Sequence, residues 1–180
     1  IGMKNYKVKV NDRRLLRAVL SSFGFEDKDL DSVCITFDKM DKIGLEGVTE
    51  ELNEKGFSDT AVNNFKVFLS KQDFSLTSIR DMLDDKEPAD SLIHIIDSVN
   101  EITGNAYDVV FDLSLVRGQG YYTGTVFEVE SIDFKGAIAG GGRYDNLIGK
   151  FLNENVPAVG FSIGFERIFS ILMEHGISIP

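Results

Sequence analysis

Arg117-Gly118-Gln119-Gly120-Tyr121-Tyr122-Thr123-Gly124-Thr125-Val126-Phe127 is the stretch on which the reading of the fold turns. An apolar run from Val109 to Val116 leads into it, and an alternating segment from Val126 to Val129 leads out. Strand, glycine loop and helix in that order would make a dinucleotide-binding unit. Strand, loop and strand would make part of an antiparallel sheet. The third glycine stands one residue late for the dinucleotide fingerprint, and a strand pattern follows where a helix N-terminus is required. The sheet reading therefore holds. Chemically, the loop sets a permanently charged planar fork, Arg117, beside glycines and the adjacent phenols of Tyr121 and Tyr122. Such a fork suits the paired oxygens of a carboxylate or phosphate. Glycine lets backbone approach a ligand closely, and tyrosine offers a flat apolar face with a hydroxyl at its end. The set fits a small polar ligand, aromatic or anionic in part. A glycine-rich hairpin turn with a surface arginine fits the same residues.

Downstream, strand-like segments recur at Gly124–Ser131, Gly136–Ala139 and Ala158–Ile163, joined by short connections that favour antiparallel pairing. Upstream, the texture is helical. Residues 1–105 hold 6 glycines and residues 106–180 hold 11. Asn11 or Asp12 caps a helix running to about Phe23, with Leu15, Leu16, Val19 and Leu20 on one face. Leu30, Val33, Cys34, Phe37 and Met40 follow helical spacing, and Leu45, Val48 and Leu52 predict a third, short helix. Ser58 caps a fourth and Ser75 begins a fifth. Pro88 stands in the first turn of a sixth, which ends at Gly104. Gly164 opens a last helix that ends near Gly176. The predicted class is α+β: a helical subdomain followed by an antiparallel sheet with flanking helices.

Composition narrows the function. With 19 Lys and Arg against 29 Asp and Glu, the formal net charge is 19 − 29 = −10. That sign is wrong for a general nucleic-acid binder, so any nucleic-acid contact must be local. Residues 1–105 alone carry 14 basic and 20 acidic side chains, net −6, which argues against a broad basic face there. One cysteine, Cys34, in an apolar run, excludes a disulfide framework and reads as a reduced core residue. No metal-binding Cys/His cluster is expected. No apolar stretch reaches the ~18 residues of a membrane helix and no signal peptide opens the chain, so a cytoplasmic setting without membrane contact is expected.

Two further motifs carry chemistry. Gly140-Gly141-Gly142-Arg143-Tyr144-Asp145 is no Walker loop, because the Gly-Lys-Ser/Thr ending is missing. It reads either as a tight turn with Arg143 and Asp145 pairing locally, or as bare backbone against which a substrate lies. Gly160-Phe161-Ser162-Ile163-Gly164-Phe165-Glu166-Arg167 is a strand entering a helix. Free amides and the helix dipole at Gly164 favour an anion there, and Arg167 adds a fork-shaped donor. A salt bridge from Arg167 to Glu128 or Glu130 is the plainer alternative. His94 reads as a helix-face residue, His175 as a helix C-cap, and Asp81–Asp90 as solvated surface. No serine, histidine and acid form a nucleophilic set.

In order along the chain, Leu115 to Gly124 resembles the first histidine-specific signature of histidyl-tRNA synthetases, and Gly140 to Asp145 resembles the second. Gly160 to Arg167 resembles the third motif of class II synthetases. Asn11 to Leu16 and Leu45 to Val48 resemble the segment entering that family's helical insertion. The resemblance implies a class II antiparallel sheet and formation of histidyl-adenylate from histidine and ATP, with Mg accompanying the nucleotide. Transfer to tRNA(His) by a homodimer would follow. It implies that Arg117 neutralises charge as the histidine carboxylate attacks the α-phosphate. Tyr121, Tyr122, Gly141 and Gly142 would bind histidine, over a floor running from Gly140 to Gly142. Gly164 and Arg167 would bind ATP, with Arg167 on its terminal phosphate. It divides the chain into the start of a catalytic-domain remnant with its connecting helix at 1–24, a helical insertion at 25–105 and the C-terminal part of a catalytic domain, with the histidine signatures and motif three, at 106–180.

Two departures stand out. Gln119-Gly120 replaces the Leu-Asp of many relatives, which removes a carboxylate. The first two class II motifs and the anticodon-binding domain are not among these residues, so the stretch is expected to be inactive alone and to self-associate through uncovered edges. The regulatory subunit of ATP phosphoribosyltransferase, which binds histidine without charging tRNA, is the chief alternative. The synthetase-like domain of a stress-sensing kinase is another.

Overall fold

The computed structural model describes residues 6–71, 74–116, 120–154 and 156–176. Strand β1, Tyr6–Asp12, opens the fold. Asp12 then caps helix α1, Arg13–Ser22, its carboxylate accepting from the Arg14 amide. Leu15, Leu16, Val19 and Leu20 are all buried, as the i, i+1, i+4, i+5 spacing predicts. Helices α2 (Leu30–Phe37), α3 (Met40–Glu54), α4 (Asp59–Ser70), α5 (Leu76–Met82) and α6 (Glu87–Thr103) follow. The two helices expected around Met40 and Leu45 are continuous except for a kink at Gly44, whose φ of 69° lies in the left-handed region. Ser75 caps α5 through the Ser78 amide. Pro88 sits in the first turn of α6 and Gly104 ends it in the left-handed conformation.

Strands β2 (Asp108–Phe111), β3 (Thr125–Ser131), β4 (Ala137–Arg143) and β5 (Val159–Ile163) complete the sheet, with helix α7 (Asp145–Leu152) before β5 and helix α8 (Phe165–Glu174) after it. The order across the sheet is β2-β1-β3-β4-β5. The class is α+β, and the sheet is mixed. β1 pairs with β2 in parallel, from Lys7 opposite Asp108 to Val10 opposite Phe111, which corrects the all-antiparallel expectation. The pair is parallel because α1 to α6 form one long crossover between its strands. The other three ladders are antiparallel. Three more corrections concern local structure. The sequence reading assigns no strand before the helix cap, whereas Tyr6–Asp12 forms β1. The triple glycine is not a turn but the middle of β4. Helix α7 went unrecognised.

Helices and sheet share one core. Leu15, Leu16, Val19, Leu20, Phe37, Phe65, Leu92, Val10, Leu113 and Val116 belong to a single buried cluster, with Val8, Val109, Phe111 and Phe127 packed on it. Phe65 lies within 5.2–6.1 Å, centroid to centroid, of Phe23, Phe25 and Phe37. Cys34 is a free, buried thiol, and burial pushes its pKa up to about 11. It is therefore a core residue and no nucleophile. The residues of Asp81–Asp90 are mainly exposed, with Asp90 paired to Arg80 at 2.5 Å.

In the helical part, Glu51 accepts from Lys39 at 2.8 Å, from Lys55 at 2.9 Å and from the buried Thr36 at 3.1 Å. The hydrogen bonds from Lys39 and Lys55 draw its pKa down from 4.5 to about 2. The folded pKa lies below the unfolded one, so Glu51 contributes its full stability above about pH 4.5 and loses it as the pH falls toward 2. A Glu51→Gln variant is accordingly expected to melt below wild type at neutral pH, with the gap closing across that window. A gap independent of pH in thermal melts would refute the assignment.

Candidate functional site

The loop from β2 to β3, the triple glycine of β4 and the edge strand β5 meet around three tyrosines. Tyr122 is buried beside Leu115 and Val126, with Tyr144 packed against them. Tyr121 is half-exposed; its ring centre is 4.5 Å from that of Tyr122 and 6.2 Å from that of Tyr144, edge-on to the latter. The Tyr121 hydroxyl donates to that of Tyr122 at 3.4 Å. Together with Gly140, Leu147, Gly160, Phe161 and Ser162 they line an open cavity of about 520 Å³. That size lies within the range of small-ligand pockets.

Glycine is required here for a specific reason. A Cβ on Gly142 would stand 2.8 Å from the Tyr122 ring, and one on Gly160 would overlap the Tyr144 hydroxyl and stand 3.0 Å from its Cζ. Each glycine thus seats one tyrosine. Strand alternation sets Gly140 and Gly142 on the tyrosine side, opposite Glu128 and Val126 on β3, whereas Gly141 faces the other side between Phe127 and Phe161. Of the three glycines, Gly140 lines the cavity, and Gly142 acts on it by seating Tyr122.

The loop after β4 is locked. Arg143 pairs with Asp145 at 2.8 Å, as one sequence reading had it. Asp145 also accepts from the Ala158 amide at 3.2 Å, and its own amide donates to Thr123 at 3.1 Å. Burial pushes the Asp145 carboxyl up, but Arg143 and the Ala158 amide outweigh it and hold its pKa below the usual carboxylate value. The Tyr144 amide donates to Ala158 at 2.8 Å, which fixes the third tyrosine at the head of α7. Sequence reasoning passed over Tyr144, although it stands inside a motif singled out for its glycines.

Gly164 is the N-cap of α8, and its amide donates to Ile138 at 2.8 Å. Arg167, in the first turn of α8, does not reach Glu130, which Lys7 and Lys9 hold at 3.7 and 2.9 Å. Its guanidinium donates instead to the Ala137 carbonyl and lies 5.8 Å from the Phe134 ring centre. His175 is the C-cap of α8, as expected, and His94 is exposed. Arg117, with Gly118 and Gln119, lies outside the described residues. Among the described residues no group of three or more His, Cys, Asp or Glu could hold a metal, and no helix is long and apolar enough to cross a membrane.

A family model described as Histidyl-tRNA synthetase matches residues 1–168. The chain belongs to the histidyl-tRNA synthetase family. A histidine–tRNA ligase of Leifsonia xyli is 39% identical over 186 residues, covering 96% of this chain and 42% of the relative. One from Cytophaga hutchinsonii is 36% identical, covering 97% of this chain and 40% of the relative. The chain thus spans about two fifths of the length of these relatives. The crystal structure of a histidyl-tRNA synthetase from Nostoc superposes with a TM-score of 0.83 at 29% identity, over 99% of this chain and 44% of that one. A Bacillus halodurans structure titled as an ATP phosphoribosyltransferase regulatory subunit/histidyl-tRNA synthetase gives 0.72 at 24% identity, a likeness of fold alone.

Proposed function

We propose that these residues form the histidine pocket and one wall of the ATP site of a histidine–tRNA ligase. The observation that carries the reading is the tyrosine cavity, with its two glycine seats, in a chain whose relatives are named for that activity. A flat imidazole fits among three phenol rings, and the hydroxyls of Tyr121, Tyr122 and Tyr144 give its two nitrogens partners. Gly140 and Gly142 leave room for the ligand above bare strand, and the backbone of Gly141 completes the floor.

In the proposed reaction an oxygen of the histidine carboxylate bonds to the α-phosphorus of ATP while the bond to pyrophosphate breaks. Arg117 neutralises the charge that develops, and Gly164 with Arg167 holds the far phosphates, Mg entering with the nucleotide. A ribose hydroxyl at the end of tRNA(His) then takes the histidyl group as the acyl–phosphate link breaks and AMP leaves, in a homodimer. The synthetase reading is preferred over the regulatory subunit because the relatives at 36–39% identity are named as ligases.

Calorimetry with histidine tests the pocket. Tyr122→Phe and Tyr144→Phe each remove one hydroxyl and leave the ring in its seat. Each is expected to weaken histidine binding about three- to tenfold, the worth of one hydrogen bond. Equal affinity for histidine and alanine in the unsubstituted chain would sink the proposal.

A further inference from the structure

Two side chains, one in the first turn of α8 and one at its C-cap, reach the hairpin that joins β3 to β4. Arg167 donates to the Ala137 carbonyl and lies over the Phe134 ring. At the other end of the helix, His175 Nε2 lies 3.6 Å from Asp133 Oδ2. Within the turn the Asp133 amide donates to the Ser131 hydroxyl at 3.2 Å, Ile132 is 86% exposed and Gly136 turns the chain at a φ of 111°.

An irregularity in the ladder makes the Arg167 contact possible. Val129 pairs with Ala139 and Glu130 with Ala137, so β4 carries one extra residue, Ile138. Consecutive carbonyls of a regular strand point to opposite neighbours, whereas a bulge re-aims one of them. Here the Ala137 carbonyl takes Arg167 and the next one, Ile138, takes the Gly164 amide at 2.8 Å. Both therefore face the start of α8. With Nη1 committed to Ala137 and one face against Phe134, the guanidinium does not present its whole fork to a phosphate.

We propose that the β3–β4 hairpin is a dock that holds Arg167 in reserve and gives it up to a polyphosphate, with Phe134 as the positioning residue that sets the balance. The inference rests on the reading of Arg167 as a phosphate ligand. Polyphosphate binding then costs the dock its contacts and loosens the hairpin tip. The contact between His175 and Asp133 in the turn does not involve Arg167, so it remains when Arg167 leaves. An exposed cation–π contact is worth about a two- to fivefold change in an equilibrium. Phe134→Ala should tighten polyphosphate binding by about that factor. Phe134→Trp, a better partner for a cation, should weaken it.

The test is calorimetry of inorganic tripolyphosphate against the chain, with amide exchange followed at residues 132–137. Saturation of the unsubstituted chain should speed exchange in the hairpin. Arg167→Ala should show that fast exchange with no ligand and should not bind. Equal hairpin exchange in the unsubstituted chain and Arg167→Ala would overturn the dock. Binding that leaves hairpin exchange unchanged would overturn the release step while leaving Arg167 a phosphate ligand. Failure of the unsubstituted chain and both Phe134 variants to bind would overturn the phosphate reading and the inference with it.

Discussion

Gly141→Ala is expected to destabilise the chain by about 3 kcal/mol or more and to free β5 from the sheet. The added Cβ would overlap the Gly160 carbonyl oxygen and stand 2.7 Å from the Phe161 Cα. Both are backbone atoms of the paired strand, so no side-chain rotation relieves the overlap. The ladder from Ala139–Ile163 to Arg143–Val159 must open instead. Gly160, Phe161 and Ser162 of the cavity wall would leave with it, and histidine binding should fall together with stability. Amide exchange should accelerate at residues 159–174 while the Leu15, Phe65 and Leu92 core stays protected. Gly124→Ala is the control, because its Cβ would meet only the flexible Arg143 side chain, at 3.2 Å. If the two variants melt together, the close strand approach is not what position 141 demands.

Asp12→Ala is the second large effect, at about 2–3 kcal/mol, or a fall in Tm of about 5–10 °C. The Asp12 carboxylate is fully buried. It accepts from the Arg14 amide at 2.8 Å, from the Arg14 guanidinium at 3.0 and 3.1 Å, and from the Thr125 hydroxyl at 3.2 Å. One side chain therefore caps α1, neutralises Arg14 and ties the first residue of β3 to the last of β1. Arg14 is 42% exposed and keeps Glu87 at 2.9 Å, so the stranded cation stays partly solvated and the loss stays below that of a fully buried pair. Asp12→Asn keeps an acceptor for the helix cap and should recover about half of the loss. Equal melting of the Ala and Asn variants would show that the charge, not the cap, carries the effect.

These two positions show what could be read before any coordinates. Asp12 as a helix cap followed from residue type and the apolar periodicity behind it, since both are local. Most of the helices were legible for the same reason: Ser75, Pro88 and Gly104 mark ends by chemistry that depends on a few neighbours. The strands Thr125–Ser131 and Val159–Ile163 were visible from alternation and β-branched content. The partner of β1 was not. Lys7 meets Asp108 across about a hundred intervening residues, and nothing in Tyr6–Asp12 declares that distance. The triple glycine misled because glycine signals turns more often than strands. It is in a strand because flat backbone is needed on both faces, under Tyr122 on one and against Phe161 on the other. Helix α7 was hidden by Gly149 in its interior. The site motifs stood out through their glycines, tyrosines and arginines. The resting place of Arg167 did not, since it depends on a bulge that only pairing reveals.

The pairing of Tyr6 with Ser131 has a consequence for how the protein is made. At about 5–20 residues per second, a ribosome needs on the order of ten seconds to travel from the first strand to its antiparallel partner. Until β2 is made, late in that interval, the nascent β1 has neither neighbour, while the helices that follow it can already collapse on their own apolar stripes. Birth of this domain is therefore staged, with the helical portion condensing first and the sheet zipping late, and the waiting strand is the point at which a chaperone would matter most.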